Sequence, residues 1–313
     1  MEIAIIGAGA MGSRFGWQLA KSGNAVTLVD DWDKNIEAVK ENGVIAEHDG
    51  KKEGIRIPIY PSKEFAKLNS NFDLLVVFTK AMGLERMLET VQPAISKSTY
   101  VLCLLNGLGH EDTLSKYVDH NHIIMGVTMI ASQMTAPGNI KFEGNGNIEM
   151  QSLSDIKDDQ EAVRSIIDTF NQANLNAEYS NNVLYSIWRK ACVNSVMNTM
   201  GALLETNNIG FGNTKVAGDV TEEILFEFEA VAKHEGVILD HDEVFNHIKE
   251  TWSVPHYASM YQDLVKNKRL TEVDFINGAV CRKGESYGVA TPYCKLVTQL
   301  IHAKEDINHQ QEE

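Results

Sequence analysis

The sequence predicts an α/β protein in which an N-terminal doubly wound sheet is followed by a C-terminal all-helical domain. Three observations lead there. Short strand-like runs alternate with helix-period patterns through the first half, which implies a parallel sheet covered by helices. A glycine-rich "GAGAMG" sits between the first strand and the first helix. After "YSNN" strand signals nearly vanish, which divides the chain into residues 1–180 and 181–313. A length of 313 residues suits two domains at roughly 100–200 residues each.

The elements follow in order. "EIAIIG" is an apolar run closed by glycine, and a helix over 13–22 leads to "AVTLVD" and a second helix near Asn35. Two short strands are expected within "GVIAEHDGKKEGIRIPIYP", around the polar turn "HDGKKEG". "FDLLVVF", a helix near Glu85 and "TYVLCLL" complete the first βα series. From 122 to 179, "HIIMGVTMIASQ" and "NIKFEGNGNIEM" read as strands, with "GNG" as a turn between alternating runs. One helix and "NAEYS" close the domain. In the helical half Gly236 and Gly288 are stops, Thr291 is a cap and Pro292 a first helical residue. The closing "EDINHQQEE" reads as a frayed end.

Composition excludes several classes. Hydrophobic content of 43% with 23% charged residues is ordinary for a globular protein, and no apolar run reaches the length of a membrane span. No secretory signal is legible, so a cytoplasmic location is expected. A net charge of -15 opposes nucleic acid and anionic membrane as partners. Cys103, Cys192, Cys281 and Cys294 are far apart and form no C-x-x-C pair, so neither disulfides nor a metal site is expected.

"GAGAMG" supplies the first candidate site: Gly7, Gly9, Ala10, Met11 and Gly12. Gly7 permits a tight turn, Gly9 lets backbone approach a pyrophosphate, Gly12 lets helix and strand pack, and the helix start offers amide donors. Asp30 ends the second strand about 20 residues on, where an acid takes adenosine ribose hydroxyls. Together these indicate a Rossmann-type dinucleotide site. A carboxylate there repels a 2′-phosphate, so NAD is favoured over NADP. Lys80, after "FDLLVVF", is a candidate for a cofactor phosphate or ribose. Asn106, opening "NGLG", is a candidate near the nicotinamide. Both follow strand ends, where ligands of open α/β sheets bind.

The second candidate site is in "WRKACVNSVMN". Lys190, Asn194 and Asn198 recur every four residues and share one face of an otherwise apolar helix. By spacing alone that face is a solvated stripe or a site. Further on, "SMYQDL" precedes "TEVDFING", a second acid-bearing helical segment whose Glu272 can pair with a lysine or hold ribose hydroxyls.

Taken with "TKA", "NGLG", "RKACVNSVMN", "SMYQD", "TEVDFING" and the closing "GVATP", the chain resembles the ketopantoate reductases over nearly its whole length. The resemblance implies Lys190 as general acid and Glu272 as the acid that orients the lysine and the nicotinamide ribose. It implies Asn194, Asn208 and Ser259 as substrate contacts, with Asn198 another polar position on their face. Lys80 and Asn106 become cofactor contacts, and a homodimer is expected. Pantoate-forming members usually prefer NADP and carry a basic residue where this chain has Asp30 and Asp31. The acidic strand end resembles instead the family's NAD-dependent D-2-hydroxyacid dehydrogenases of the D-mandelate type. Trp252, Tyr257 and Met260 are candidates to line a larger apolar pocket.

The expectation is therefore hydride transfer between NAD(H) and a C3-branched 2-keto acid or its D-2-hydroxy acid. The alternatives are NADPH-dependent 2-dehydropantoate reduction and, from another class, a nucleotide-binding regulator without turnover.

Overall fold

The computed structural model describes residues 1–68, 71–154 and 156–311. The chain divides into two compact units, one of Met1–Leu105 with His110–Val183 and one of Asn106–Gly109 with Leu184–Glu313.

The first unit opens with β1 (Glu2–Ile6), α1 (Ala10–Lys21), β2 (Ala25–Val29) and α2 (Asp33–Asn42). A hairpin of β3 (Val44–His48) and β4 (Lys51–Ile55) leads to β5 (Ile59–Tyr60) and α3 (Ser62–Phe65). Next come β6 (Leu74–Val77), α4 (Leu84–Val91), β7 (Tyr100–Cys103), α5 (His110–Leu114) and β8 (Ile123–Thr128). Two short strands, β9 (Gln133–Ala136) and β10 (Asn139–Lys141), precede β11 (Ile148–Ser152), α6 (Lys157–Gln172) and β12 (Ala177–Tyr179). The main sheet has eight strands in the order β12-β11-β8-β7-β6-β1-β2-β5. All neighbouring pairs are parallel except β8 with β11. Its central strands are continuous apolar runs: every residue of β6 is buried, as is all of β1 after Glu2. Such runs fit strands covered on both faces.

Two strand expectations are corrected. "GNG" does not join a hairpin, because β10 lies in a separate four-stranded sheet, β4-β3-β10-β9, while β11 belongs to the main sheet. Gly144 and Gly146 both have positive φ, and the buried guanidinium of Arg14 donates to the Gly144 carbonyl at 2.6 Å, so the segment is a crossover held from α1. The run "HIIMGVTMIASQ" likewise breaks after Thr128 and resumes as β9 in the second sheet. Alternation does not reveal which sheet a strand enters. The β3–β4 turn is shorter than expected, just Asp49 and Gly50 at φ 49° and 70°, the left-handed pair that a two-residue hairpin requires.

The second unit is built from α7 (Val183–Leu203), α8 (Asn208–Gly212), α9 (Ala217–His234), α10 (His241–Thr251), α11 (Ser259–Tyr261), α12 (Asn277–Tyr287) and α13 (Pro292–Gln310). Trp188, Cys192, Val196 and Met200 of α7 pack with Phe228 and Val231 of α9 and Cys294 of α13. Trp252 packs at the edge of this core and Met260 lies in a neighbouring cluster, so both serve packing, whereas Tyr257 is exposed against Tyr261. "TEVDFING" is not one helix: Val273–Phe275 is a single 3₁₀ turn and α12 begins at Asn277. The expected frayed end is also corrected through Gln311. Helix α13 continues to Gln310, and Glu305 is buried because it accepts the Thr271 N–H at 2.7 Å. Glu312 and Glu313 of that stretch lie outside the described residues. Among the described residues no helix is long and apolar enough to cross a membrane.

Candidate active site

In the first unit the glycine loop is fixed from both sides. Gly7, at φ 100°, lies so close to β6 that an added Cβ would meet the Phe78 carbonyl and the Thr79 nitrogen at 2.7 Å. A Cβ on Gly12 would sit 1.9 Å from the Gly7 oxygen. Between them, the Ala8 N–H donates to Asp30 Oδ2 at 3.0 Å. The Ala8 carbonyl accepts from Ser13 Oγ at 2.8 Å and from Asn35 Nδ2 at 3.0 Å. Asp30 also accepts the Trp32 N–H on Oδ1 at 2.9 Å, and burial pushes its carboxyl pKa up despite these bonds. Asp30 is thus at the strand end, as expected, and additionally braces the loop. The sequence reading missed Asn35, whose only signal was a weak helix former five residues after Asp30.

Whether this loop fits a dinucleotide can be tested on its own atoms. Gly9 has an ordinary φ of -66° and nothing within 4 Å of an added Cβ, so packing does not demand glycine there. Open space over a bare Cα is what an approaching phosphate needs. Gly9 is the N-cap of α1 and no side chain caps the helix, which leaves the first-turn amides, Ala10 and Met11 among them, directed at that space. Beside it the Thr79 Oγ1 is buried without a hydrogen-bond partner among the described residues. These residues fit a nicotinamide dinucleotide. Lys80 follows directly, exposed, as the residue before the 3₁₀ turn Ala81–Gly83.

In the second unit, Lys190, Asn194 and Asn198 lie on successive turns of α7. Part of Lys190 still meets solvent, yet burial pushes its ammonium pKa down to about 8, opposed by the charge of Glu272. Glu272 is half-buried and is the residue before the 3₁₀ turn. Asn194 is half-buried one turn beyond Lys190. Asn198, 8% exposed, donates to Ser259 Oγ at 3.4 Å, and Ser259 is exposed at the start of α11. Asn208 is buried at the start of α8, and its backbone N–H donates to the His256 carbonyl at 3.0 Å, three residues before Ser259. α7, α8 and the 256–259 segment therefore gather Asn198, Asn208 and Ser259.

The "NGLG" loop belongs by its contacts to this unit. Gly107, at φ 102°, approaches so closely that an added Cβ would stand 2.4 Å from the Phe275 oxygen, and the Leu108 N–H donates to that oxygen at 2.8 Å. Asn106 is consequently anchored beside the turn that follows Glu272. Asn277, fully buried at the start of α12, donates to the Ser195 carbonyl at 3.2 Å and ties this segment to α7.

The arrangement supplies a cation of tunable acidity, an acid that tunes it and neutral hydrogen-bond donors nearby. Comparison with known proteins gives the family. Residues 3–155 match the family model described as Ketopantoate reductase PanE/ApbA, and residues 182–305 match its C-terminal companion. The 2-dehydropantoate 2-reductase of Lactococcus lactis subsp. lactis is 48% identical over 98% of this chain and 99% of its own. That of Streptococcus pyogenes serotype M3 is 44% identical over 98% and 99%. A solved structure of D-mandelate dehydrogenase with NADH and anilino(oxo)acetate superposes with a TM-score of 0.94 at 46% identity, covering 99% of this chain and 100% of the other. The chain thus belongs to the ketopantoate reductase family and is a nicotinamide-dependent oxidoreductase.

Proposed function

We propose that the protein interconverts a C3-branched 2-keto acid and its D-2-hydroxy acid, with NAD(H) as the nicotinamide cofactor. The observation that carries this reading is the placement of Lys190 on the apolar helix α7 in the field of Glu272, where burial brings its pKa down to about 8. A general acid works best with a pKa near the operating pH. When bound, the cofactor supplies the hydride for C2 of the keto acid, or accepts it in the reverse direction. Lys190 donates a hydrogen bond to the carbonyl oxygen, stabilises the negative charge that grows there and gives up its proton as C2 is reduced. Solvent then restores the ammonium. In oxidation, neutral Lys190 takes the hydroxyl proton. Glu272 keeps most of the lysine charged near neutrality. Asn194, Asn198, Asn208 and Ser259 hold the substrate carboxylate with neutral donors, which leave the acidity of Lys190 undisturbed.

Asp30 supports NAD. A 2′-phosphate at the end of β2 would meet the carboxylates of Asp30 and Asp31, and Arg86, 3.9 Å from Asp31, is already placed as a counter-ion. The 46% identity to a D-mandelate dehydrogenase whose structure holds NADH points the same way. The second reading, NADPH-dependent reduction of 2-dehydropantoate, is favoured by the names of the curated relatives at 48% and 44% identity. A steady-state panel crossing NADH and NADPH with 2-dehydropantoate, phenylglyoxylate and 2-ketoisovalerate separates the two. NADH-dependent reduction of phenylglyoxylate or 2-ketoisovalerate with the higher kcat/KM is the expected outcome. Efficient turnover only with NADPH and 2-dehydropantoate would replace the first reading by the second.

A further inference from the structure

His302 lies on α13, and both of its ring nitrogens meet carboxylates: Nδ1 is 2.8 Å from Glu305 Oε2 and Nε2 is 3.0 Å from Asp274 Oδ1. A neutral imidazole has one N–H and one lone pair, so one of these contacts would set a lone pair against an anion. An imidazolium satisfies both. Glu305 is itself buried and uses its second oxygen to accept the Thr271 N–H at 2.7 Å. Asp274 is in the 3₁₀ turn, its carbonyl accepts from Arg282 Nη2 of α12 at 2.7 Å, and Gly278 leaves room for its carboxylate, since a Cβ there would be 3.1 Å from Oδ1. The residue before Glu272 and the residue two after it are therefore both fastened to α13, one through Glu305 and the other through His302.

We infer that His302 is a positioning residue for Glu272: its imidazolium clamps the turn that sets where the Glu272 carboxylate stands relative to Lys190. This rests on the proposed acid role of Lys190 and its tuning by Glu272. His302 touches neither substrate nor cofactor in this scheme. Burial opposes the charge, but its two carboxylate partners outweigh it and raise the pKa, so the clamp opens as pH rises through that raised value. Among the described residues, the nearby charged groups of α9, α12 and α13 make other bonds. Arg282 reaches the Asp274 carbonyl, and Lys304 turns to Glu205 and the Ala202 carbonyl. Glu227 of α9 binds the amides of Tyr293 and Cys294, roughly 12 Å along the helix at 1.5 Å per residue.

The test compares reductive kcat across the alkaline range, at saturating NADH and keto acid, for wild type, His302→Gln, His302→Arg and Glu272→Gln. With Glu272 no longer held, its support for the ammonium weakens and the pKa of Lys190 falls. His302→Gln is thus expected to lose about tenfold in kcat near neutrality, less than the ~100-fold that a full ångström of misplacement can cost. Its alkaline limb moves to lower pH, in the same direction as that of Glu272→Gln, while KM for the keto acid changes little. His302→Arg, permanently charged and rich in donors, brings the limb back toward wild type. A displaced limb in Glu272→Gln with an unmoved one in His302→Gln would overturn the inference and leave the Glu272 reading intact. An unmoved limb in Glu272→Gln would overturn that reading, and the role of His302 with it. Should His302→Gln not fold, imidazole ¹⁵N resonances of the wild-type enzyme decide instead. Both nitrogens of His302 are expected to be protonated at neutral pH, and a neutral ring there would remove the clamp.

Discussion

Asp30 Oδ2 accepts the Ala8 N–H at 3.0 Å, so the acid at the end of β2 also fixes the peptide between Gly7 and Gly9. Replacing it acts twice. Asp30→Ala is expected to lose about 2 kcal/mol of stability, the usual scale for a hydrogen bond to a charged group, and at least tenfold in kcat/KM for NADH. Asp30→Asn keeps an oxygen for the Ala8 amide but turns an NH2 toward the Trp32 N–H that Oδ1 accepts, so it should melt between Asp30→Ala and wild type while the preference for NADH over NADPH narrows. Urea titrations and kcat/KM for both cofactors check this. An Asp30→Ala enzyme within twofold of wild type for NADH would take Asp30 out of the ribose site.

Gly9 and Gly12 are three residues apart and glycine for different reasons. Gly9→Ala places its methyl in open space at an ordinary φ, so it should lose only the roughly 1 kcal/mol that alanine costs at a helix N-cap and yet bind NADH poorly. Gly12→Ala would press its methyl on the Gly7 oxygen and should be destabilised before any cofactor is added. Thermal melts with and without NADH distinguish the two. Normal NADH binding by Gly9→Ala would mean that no phosphate approaches there.

The acid role proposed for Lys190 makes a pH profile the direct test. With a pKa of about 8, reductive kcat should fall as pH rises through that region, and oxidative kcat should rise. Glu272 raises this pKa, so Glu272→Gln moves both limbs to lower pH. Lys190→Ala should lose on the order of 10²–10⁴ in kcat, the range for a positioned acid. Turnover equal to wild type would assign the proton to another group.

The same lysine costs stability. Its folded pKa lies below the value of 10.5 for a free lysine, so between about 8 and 10.5 the unfolded chain binds a proton that the folded one does not. Stability therefore gains from this group as pH rises through that window, and its burial penalty is fully present below it. Lys190→Met should be more stable than wild type at neutral pH, with the gap closing across that window. Chemical denaturation at several pH values measures it, and a Lys190→Met protein less stable than wild type at neutral pH would contradict the burial argument.

Much of this was legible in the sequence for identifiable reasons. The buried strands announced themselves as "IAII" and "LLVV", because a parallel sheet covered on both faces needs unbroken apolar runs. The glycine loop and Asp30 carried the spacing that a dinucleotide's phosphate and ribose would require. The face of Lys190, Asn194 and Asn198 was visible as periodicity, though periodicity alone did not separate solvent from substrate. What stayed hidden depends on distant partners. Glu305 looked like part of a loose end until Thr271, 34 residues earlier, turned out to need its oxygen. The bond of Asn198 to Ser259 spans 61 residues, and the crossover at Gly144 depends on Arg14, 130 residues away. No local pattern records such pairs.

The raised acidity of the Lys190 ammonium has a consequence for chemical labelling. At neutral pH about a tenth of its amine is unprotonated, against roughly one part in 3,000 for a lysine of ordinary pKa 10.5. A free amine is a nucleophile, and the proposed substrate is a ketone. An aldehyde reagent such as pyridoxal phosphate, followed by borohydride, should mark Lys190 ahead of the exposed lysines, and bound keto acid should shield it.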